Sequence, residues 1–459
     1  MRAVLIGLAL SLSLVSGQNT SLSETDIETV TTRLAEGATK SWELGTRAQS
    51  LLELNVPNFS VFSSTGVPPP STVPSNTTSA IAPVFSIAKN AVSALSNATG
   101  PKPLINGDGA AGDPAAIGVA VLLANWTGQG ADGLNYAAAA QNQLDYLYNV
   151  VPHTSDGAIS HRVAQVQLWS DFVYMVPPFL AYYGVLTGNT TLITEAYNQI
   201  KLYRNYLRDP SANNLWKHIV LGNDTNDTPN DSGHCYSGNA WAAAGMLRVI
   251  GAMKNSQYSK SFSSQQKDLG NWVKEIHSAM YANIDSTNIF TNYADVSINT
   301  TGSFYDTAST TLLASTVYRA SLLLGDHSHL PNAEKCRQAL YATSPLNQSS
   351  SAASSASSSA SSSIDPSSAS ATTAAPLTGL LHFTNSGWLT PVVNPDSFGV
   401  EGQNSPEGEA FVLQFQAAYS EWVSGGSVGA NAARRTASSV AGWPWVVGCA
   451  LFGILLTLA

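Results

Sequence analysis

The sequence predicts an all-α fold in which helical hairpins surround a common axis. Segments with apolar residues at helical spacing recur along its 459 residues. Almost no run alternates as a half-buried strand would, and Gly, Pro, Asn and Asp cluster between the segments.

The first segment spans about 24–54, with Ile27, Val30 and Leu34, then Trp42, Leu44, Leu51, Leu52 and Leu54. A polar, proline-rich stretch over 62–76 reads as an insertion, followed by a helix over about 79–96. The loop Asn106–Gly112 leads to Asp113 and Pro114, an N-cap residue and a proline in the first helical position, which open a helix over about 114–125. A helix over 134–150 follows, then a loop over Pro152–Gly157. The segment 166–186 contains Pro177 and Pro178, which should end or bend its helix. Further helices fall at about 190–208, 237–254, 264–283, 303–324, 331–343 and 406–424. The segment near 236–252 is apolar all round, as an inner ring covered on both faces requires. Gly302–Asp306 opens the helix to 324, and Ser405 caps the one that starts at Pro406 and Glu407.

Residues 1–17 read as a secretory signal: Arg2, an apolar run from Ala3 to Val15, then small residues. Residues 440–459 form an uncharged apolar tail behind a short polar spacer and the small residues Gly429 to Ala433. That order is the signal for a GPI anchor, with Asn431 as the expected attachment residue and Gly429 next. A membrane-spanning tail is the competing reading. Eleven N-x-S/T sequons, Asn19, Asn58 and Asn299 among them, fit a secretory route. The barrel domain is thus expected over 18–424, with a disordered Ser/Ala insertion at 349–375 and a stalk over 425–439. Cys449 falls in the tail, which leaves Cys235 and Cys336 to pair in an oxidising compartment or to stay as buried thiols. Charged residues are only 11% and the net charge is −9, which argues against a nucleic-acid partner. The expected product is a secreted, cell-surface monomer whose contact with the membrane is through lipid only.

Chemistry concentrates in Ser160–Gly184. Between Arg162 and Glu195, Asp171 is the only charged residue, with Leu168, Trp169, Phe172, Val173, Tyr174 and Met175 around it. Packed inward, its carboxyl should lose hydration, raise its pKa and serve as a general acid. The alternative is a buried Asp that caps a helix. His161 and Arg162 flank the same loop. Asp113 is a second carboxyl, open to a plain capping reading. Gly233–Trp241 runs as a polar loop into a helix, where His234 could bond to hydroxyls and Trp241 could stack on a sugar. The sequence has no GxSxG, HExxH or P-loop and no metal-ligand spacing, so no metal or cofactor is expected. Carboxylate chemistry in an aromatic pocket is the profile of a carbohydrate-active enzyme.

The chain resembles the six-hairpin glycosidases, specifically the unsaturated rhamnogalacturonyl hydrolases of glycoside hydrolase family 105. The likeness is carried by SDGAISHRVAQVQLWSDFVYMVPPFLAYYG, with GDPAAIG upstream and SGNAWAAAGMLRVI downstream. It covers about 24–424 less the Ser/Ala insertion, and implies an (α/α)6 barrel with its site at one mouth. It also implies an oligosaccharide substrate from which a 4,5-unsaturated uronic acid is released by hydration of the double bond. Asp171 would then protonate that bond and help activate water, assisted by Asp113. His161, Arg162, Trp169, His234, Asn239 and Trp241 would bind the sugar. Where the family pattern has an arginine four residues before Trp241, this chain has Ser237, and Arg162 or Lys217 would have to compensate. A conventional acid/base glycosidase and a non-catalytic wall-binding protein are the rival readings.

Overall fold

A computed structural model describes residues 21–95, 100–106, 109–223, 227–343 and 379–430. The expected signal segment, Ser/Ala insertion, anchor residue Asn431 and apolar tail lie outside these residues. Among the described residues no helix is long and apolar enough to cross a membrane.

Among the described residues twelve α-helices form two rings. The inner ring is α2 (Ser41–Asn55), α4 (Gly118–Trp126), α6 (Phe172–Thr187), α8 (Tyr236–Lys254), α10 (Thr307–Leu324) and α12 (Pro406–Ser424). Each packs on the next, and α12 returns to α2. The outer ring is α1 (Glu24–Gly37) on α12, α3 (Thr78–Ala94) on α2 and α4, and α5 (Tyr136–Asn149) on α4. It continues with α7 (Thr190–Leu207) on α6, α9 (Ser263–Tyr281) on α8 and α11 (Leu330–Leu340) on α10. This is the (α/α)6 barrel.

Composition follows the ring. In α8 every residue from Tyr236 to Met253 except Ser237 is buried, because both faces are covered. In α9 only a stripe is buried, including Leu269, Val273, Ile276 and Met280. A Cβ on Gly245 would lie 2.1 Å from the carbonyl oxygen of Val173, so glycine lets α6 and α8 touch backbone to backbone. That carbonyl stands four residues before Pro177, which has no N–H to offer it. The helix nonetheless runs on through Pro177 and Pro178 to Thr187 and does not end at them.

The single segment expected over 24–54 is two helices. A Cβ on Gly37 would lie 2.7 Å from Pro406 and 2.8 Å from Trp388, so α1 ends where the start of α12 crosses it. The chain turns and α2 opens with Glu43 accepting from the Thr39 and Lys40 N–H groups, both at 2.8 Å. Three short antiparallel pairs went unseen in the sequence. They are β1 (Leu168–Trp169) with β4 (Ile219–Val220), β2 (Arg208–Asp209) with β3 (Leu215–Trp216), and β5 (Val392–Asn394) with β6 (Ser397–Gly402). Most are too short to show alternation.

The Cys235–Cys336 disulfide expected from the sequence does not form; both thiols are free and buried. Cys235 precedes α8 and Cys336 lies within α11, and α10 packs against both helices.

Two buried carboxyls in the barrel wall behave differently. Glu53 on α2 holds Arg248 of α8 and Arg319 of α10. Glu409 on α12 is fully buried; one oxygen accepts the Leu389 N–H at 2.6 Å and the other has no partner. Burial pushes its pKa from the ordinary 4.5 up to about 8, against smaller opposing effects of the Leu389 N–H and Arg33. A raised pKa means the folded state holds the proton more tightly. The stability linked to that proton is whole below the unfolded value and drains as pH climbs towards 8. Glu409→Gln, neutral at every pH, is therefore expected to stabilise the protein by about 1–3 kcal/mol near neutral pH and by nothing near pH 4. Thermal unfolding of both proteins across this range measures it; a gap in Tm that does not change with pH would refute the assignment.

Candidate active site

The N-terminal ends of the inner helices meet at one mouth of the barrel, around a cavity of about 530 Å³. Lys40 and Trp42 come from the start of α2, and Ala110 and Asp113 from the approach to α4. His161, Arg162, Trp169 and Asp171 precede α6. His218, Asp231, Ser237 and Trp241 lead into α8, Tyr293 precedes α10, and Phe398 and Glu407 flank the start of α12. The first turns of α2, α6, α8 and α12 border this cavity and lend it positive potential.

Asp171 is the residue before α6, but its side chain makes no capping bond. Its Oδ2 accepts from Ser170 Oγ at 3.2 Å and faces His218 Nε2 at 3.3 Å. The β1–β4 pairing fixes this contact, with the Ser170 N–H on the His218 carbonyl at 2.9 Å. On its far side His218 donates from Nδ1 to Asp231 Oδ2 at 2.9 Å, and the Tyr293 hydroxyl donates to the same oxygen at 2.6 Å. Burial opposes a charge on His218. The Cys235 sulfur beside it and the carboxylates on its two ring nitrogens outweigh that and raise its pKa well above the ordinary value. Burial also raises Asp171, but the His218 hydrogen bond and charge hold it below the ordinary carboxylate range.

The expected rise in the Asp171 pKa is thus reversed. Its neighbours in sequence are apolar; its neighbour in space is an imidazolium. The pair shares one proton and titrates as a unit. His218 is not visible as a site residue in the sequence, because a lone His after Lys217 carries no motif. The same holds for Asp231, Tyr293, Trp42 and Phe398.

His161 is driven down to about 3, mainly by burial, and is neutral. Its ring stacks on Trp169 with centroids 4.7 Å apart, and its Nε2 lies 3.4 Å from Asp113 Oδ1. Asp113 begins a short 3-10 turn, Asp113–Ile117, that leads into α4. Arg162 is committed to Asp227, with Nη2 at 2.7 Å and Nε at 3.2 Å from Oδ1. Lys217 pairs with Asp209 at 3.6 Å and is not part of the cavity wall. Neither basic residue therefore takes the place of the arginine that Ser237 replaces.

Three expected sugar contacts differ from the expectation. His234 sits outside the cavity wall, with Nδ1 on Asp295 at 2.8 Å and Nε2 3.5 Å from Asp209. Asn239 is a structural clamp: its amide accepts the Trp216 N–H and donates to the carbonyls of Trp216 and Cys235, each at 2.9 Å. Trp241 borders the cavity but is only 3% exposed. It packs edge-on against Tyr174 and Phe411, so it has no face to offer a sugar. Trp169 does line the cavity beside His161.

Glu407, which the sequence showed only as part of a helix start, carries the raised pKa that was expected of Asp171. Burial, then Glu43 and Asp171, push its carboxyl up to about 8. Its Oε2 accepts the Trp42 indole N–H at 2.8 Å. Among the described residues no group of three or more His, Cys, Asp or Glu is arranged to hold a metal ion.

The family model described as Glycosyl Hydrolase Family 88 matches residues 112–362. None of the curated proteins compared matches at a significant level. Among solved structures the chain is similar to a family 105 glycoside hydrolase from C. acetobutylicum, at 13% identity and TM-score 0.58, over 86% of this chain and 99% of that one. A possible family 105 member from Klebsiella pneumoniae gives 12% identity and TM-score 0.59, over 91% and 99%. A family 88 hydrolase from Bacteroides vulgatus gives 13% identity and TM-score 0.53, over 86% and 98%. At these identities the likeness is one of fold. The sequence motifs resemble family 105, whereas the family model that matches is that of family 88.

Proposed function

This chain belongs to Glycosyl Hydrolase Family 88, and on that footing we propose that it releases a 4,5-unsaturated uronic acid from pectin-derived, rhamnogalacturonan-type oligosaccharides by hydrating the double bond. The observation that carries this reading is the Asp171–His218 contact at 3.3 Å in the cavity wall, with Asp113 in the same wall. A reaction that adds H and OH across C=C needs one group that can give a proton and take one back.

The steps balance. The pair delivers its proton to C4 through the Asp171 carboxyl, and the double-bond electrons form the new C–H bond. Positive charge develops at C5 and the ring oxygen. Water adds at C5 and returns a proton to Asp171 and so to His218, which leaves the pair as it began. The hemiketal at C5 then opens and the glycosidic oxygen leaves with a proton. Asp231 and Tyr293 keep His218 charged and oriented, and Asp113, beside neutral His161, holds water or substrate. The helix N-termini at the mouth favour an anionic sugar.

The test follows ultraviolet absorbance of an unsaturated galacturonyl-rhamnose disaccharide with purified protein. Loss of the double-bond signal supports the reading. A folded protein that leaves this signal unchanged but cleaves saturated wall glycans would instead favour Asp113 and Asp171 as a conventional acid/base pair. One that does neither would favour a binding protein.

A further inference from the structure

Glu407 stands at the second position of α12, in the wall of the cavity. The Trp42 indole is its one hydrogen-bond partner found among the described residues. Trp42 and Glu407 both lie outside the span matched by the family model.

The charges around this carboxyl are arranged against its ionisation. Glu43 of α2 lies close and is itself fixed by the Thr39 and Lys40 N–H groups. Asp171 faces it from the approach to α6, and Asp306, the cap of α10, adds a smaller effect. Lys40 on the α2 side, with Arg162 and His218 across the cavity, supplies the positive charge of the wall. Burial and these three carboxylates outweigh the pull of its own helix N-terminus, and the group stays a carboxylic acid up to about pH 8. It can therefore donate an O–H where every ionised carboxylate can only accept.

Several other charges of the cavity are engaged with one another. Asp171 and Asp231 share His218, Asp227 holds Arg162, and a serine stands at position 237. A carboxylate entering the cavity needs a donor, and a carboxylic acid facing a carboxylate makes a short, charge-assisted hydrogen bond with one shared proton.

We infer that Glu407 is the substrate-selecting group of this cavity, donating its O–H to the carboxylate of a uronic acid end, the task left open by Ser237. The inference rests on the proposed function and deepens it, and it is tested by binding rather than turnover.

The probe is galacturonic acid, with galactose as its neutral twin, titrated by calorimetry against the wild type, Glu407→Gln and Glu407→Ala from about pH 6.5 to 9. Wild-type affinity for galacturonate should fall about tenfold between pH 7 and 9 as the acid ionises. Glu407→Gln keeps an N–H donor, so its affinity should stay within about threefold of wild type at pH 7 and remain flat to pH 9. Glu407→Ala should lose about tenfold at pH 7. Galactose should bind more weakly, without pH dependence. A Glu407→Gln protein that follows the wild-type slope, equal affinity for the two sugars, or no galacturonate binding would each overturn the inference. The absorbance assay on the same wild-type sample separates these outcomes from failure of the proposed reaction, because hydration can persist when Glu407 has no part in selection.

Discussion

Asp171→Asn is expected to lower kcat on the unsaturated disaccharide between about 100- and 10,000-fold while KM moves little, the range for loss of a general acid and base. This corresponds to about 3–5 kcal/mol of barrier. An amide can neither pass the proton to C4 nor take it from water, yet it keeps the shape of the site and can still face His218. Equal activity in wild type and variant would remove Asp171 from the mechanism. His218→Asn gives the independent check. In the wild type the proton of the pair is lost only when pH rises past the raised pKa of His218. Without the imidazolium, burial is the largest remaining influence on Asp171 and its pKa rises, but the proton then rests on a carboxyl instead of an imidazole. The alkaline limb of the pH–rate profile should therefore move to lower pH, with kcat reduced. A variant with lower kcat and an unmoved limb would make His218 a structural support only.

Glu53→Gln is expected to cost about 3–5 kcal/mol of stability, the largest effect of any single change outside the cavity. Glu53 on α2 is 5% exposed and faces Arg248 and Arg319, which are 3% and 4% exposed. Arg319 lies 3.2 Å from it and also pairs with Glu421. The guanidinium of Arg248 sits 4.4 Å from the centre of the Tyr174 ring, and that of Arg319 4.4 Å from the Phe62 ring. Removal of one carboxylate leaves buried cations short of a counter-charge across the α2, α8 and α10 junction. The double change Glu53→Met with Arg248→Met should cost less than the single one, because it removes a charge of each sign. Denaturant unfolding of the three proteins decides it; a single variant within about 1 kcal/mol of wild type would show that water screens the cluster.

The sequence by itself determined the all-α class and the place of most helices, and it singled out Asp171 as a carboxyl in an apolar stretch. Helix period, caps and Gly/Pro punctuation are local properties, so Asp306, Ser405 and Pro406 mark helix starts wherever the helices go. Inner-ring helices such as α8 also declare themselves, since burial on both faces leaves no polar stripe. The segment around Asp171 stood out because a lone charge in an apolar stretch must be either satisfied or functional.

Only the tertiary structure decided which groups share the cavity and how they titrate. Asp171 and His218 are 47 positions apart in the chain, and Trp42 and Glu407 are 365 apart. The β1–β4 pairing makes the first contact, and the closing of α12 onto α2 makes the second. The tertiary packing also gave His234 and Asn239 structural partners, kept Cys235 from Cys336, and exchanged the expected titration of Asp171 with that of Glu407. A pKa depends on the dielectric and charges within a few ångströms, and in a closed ring those neighbours are mostly distant in sequence.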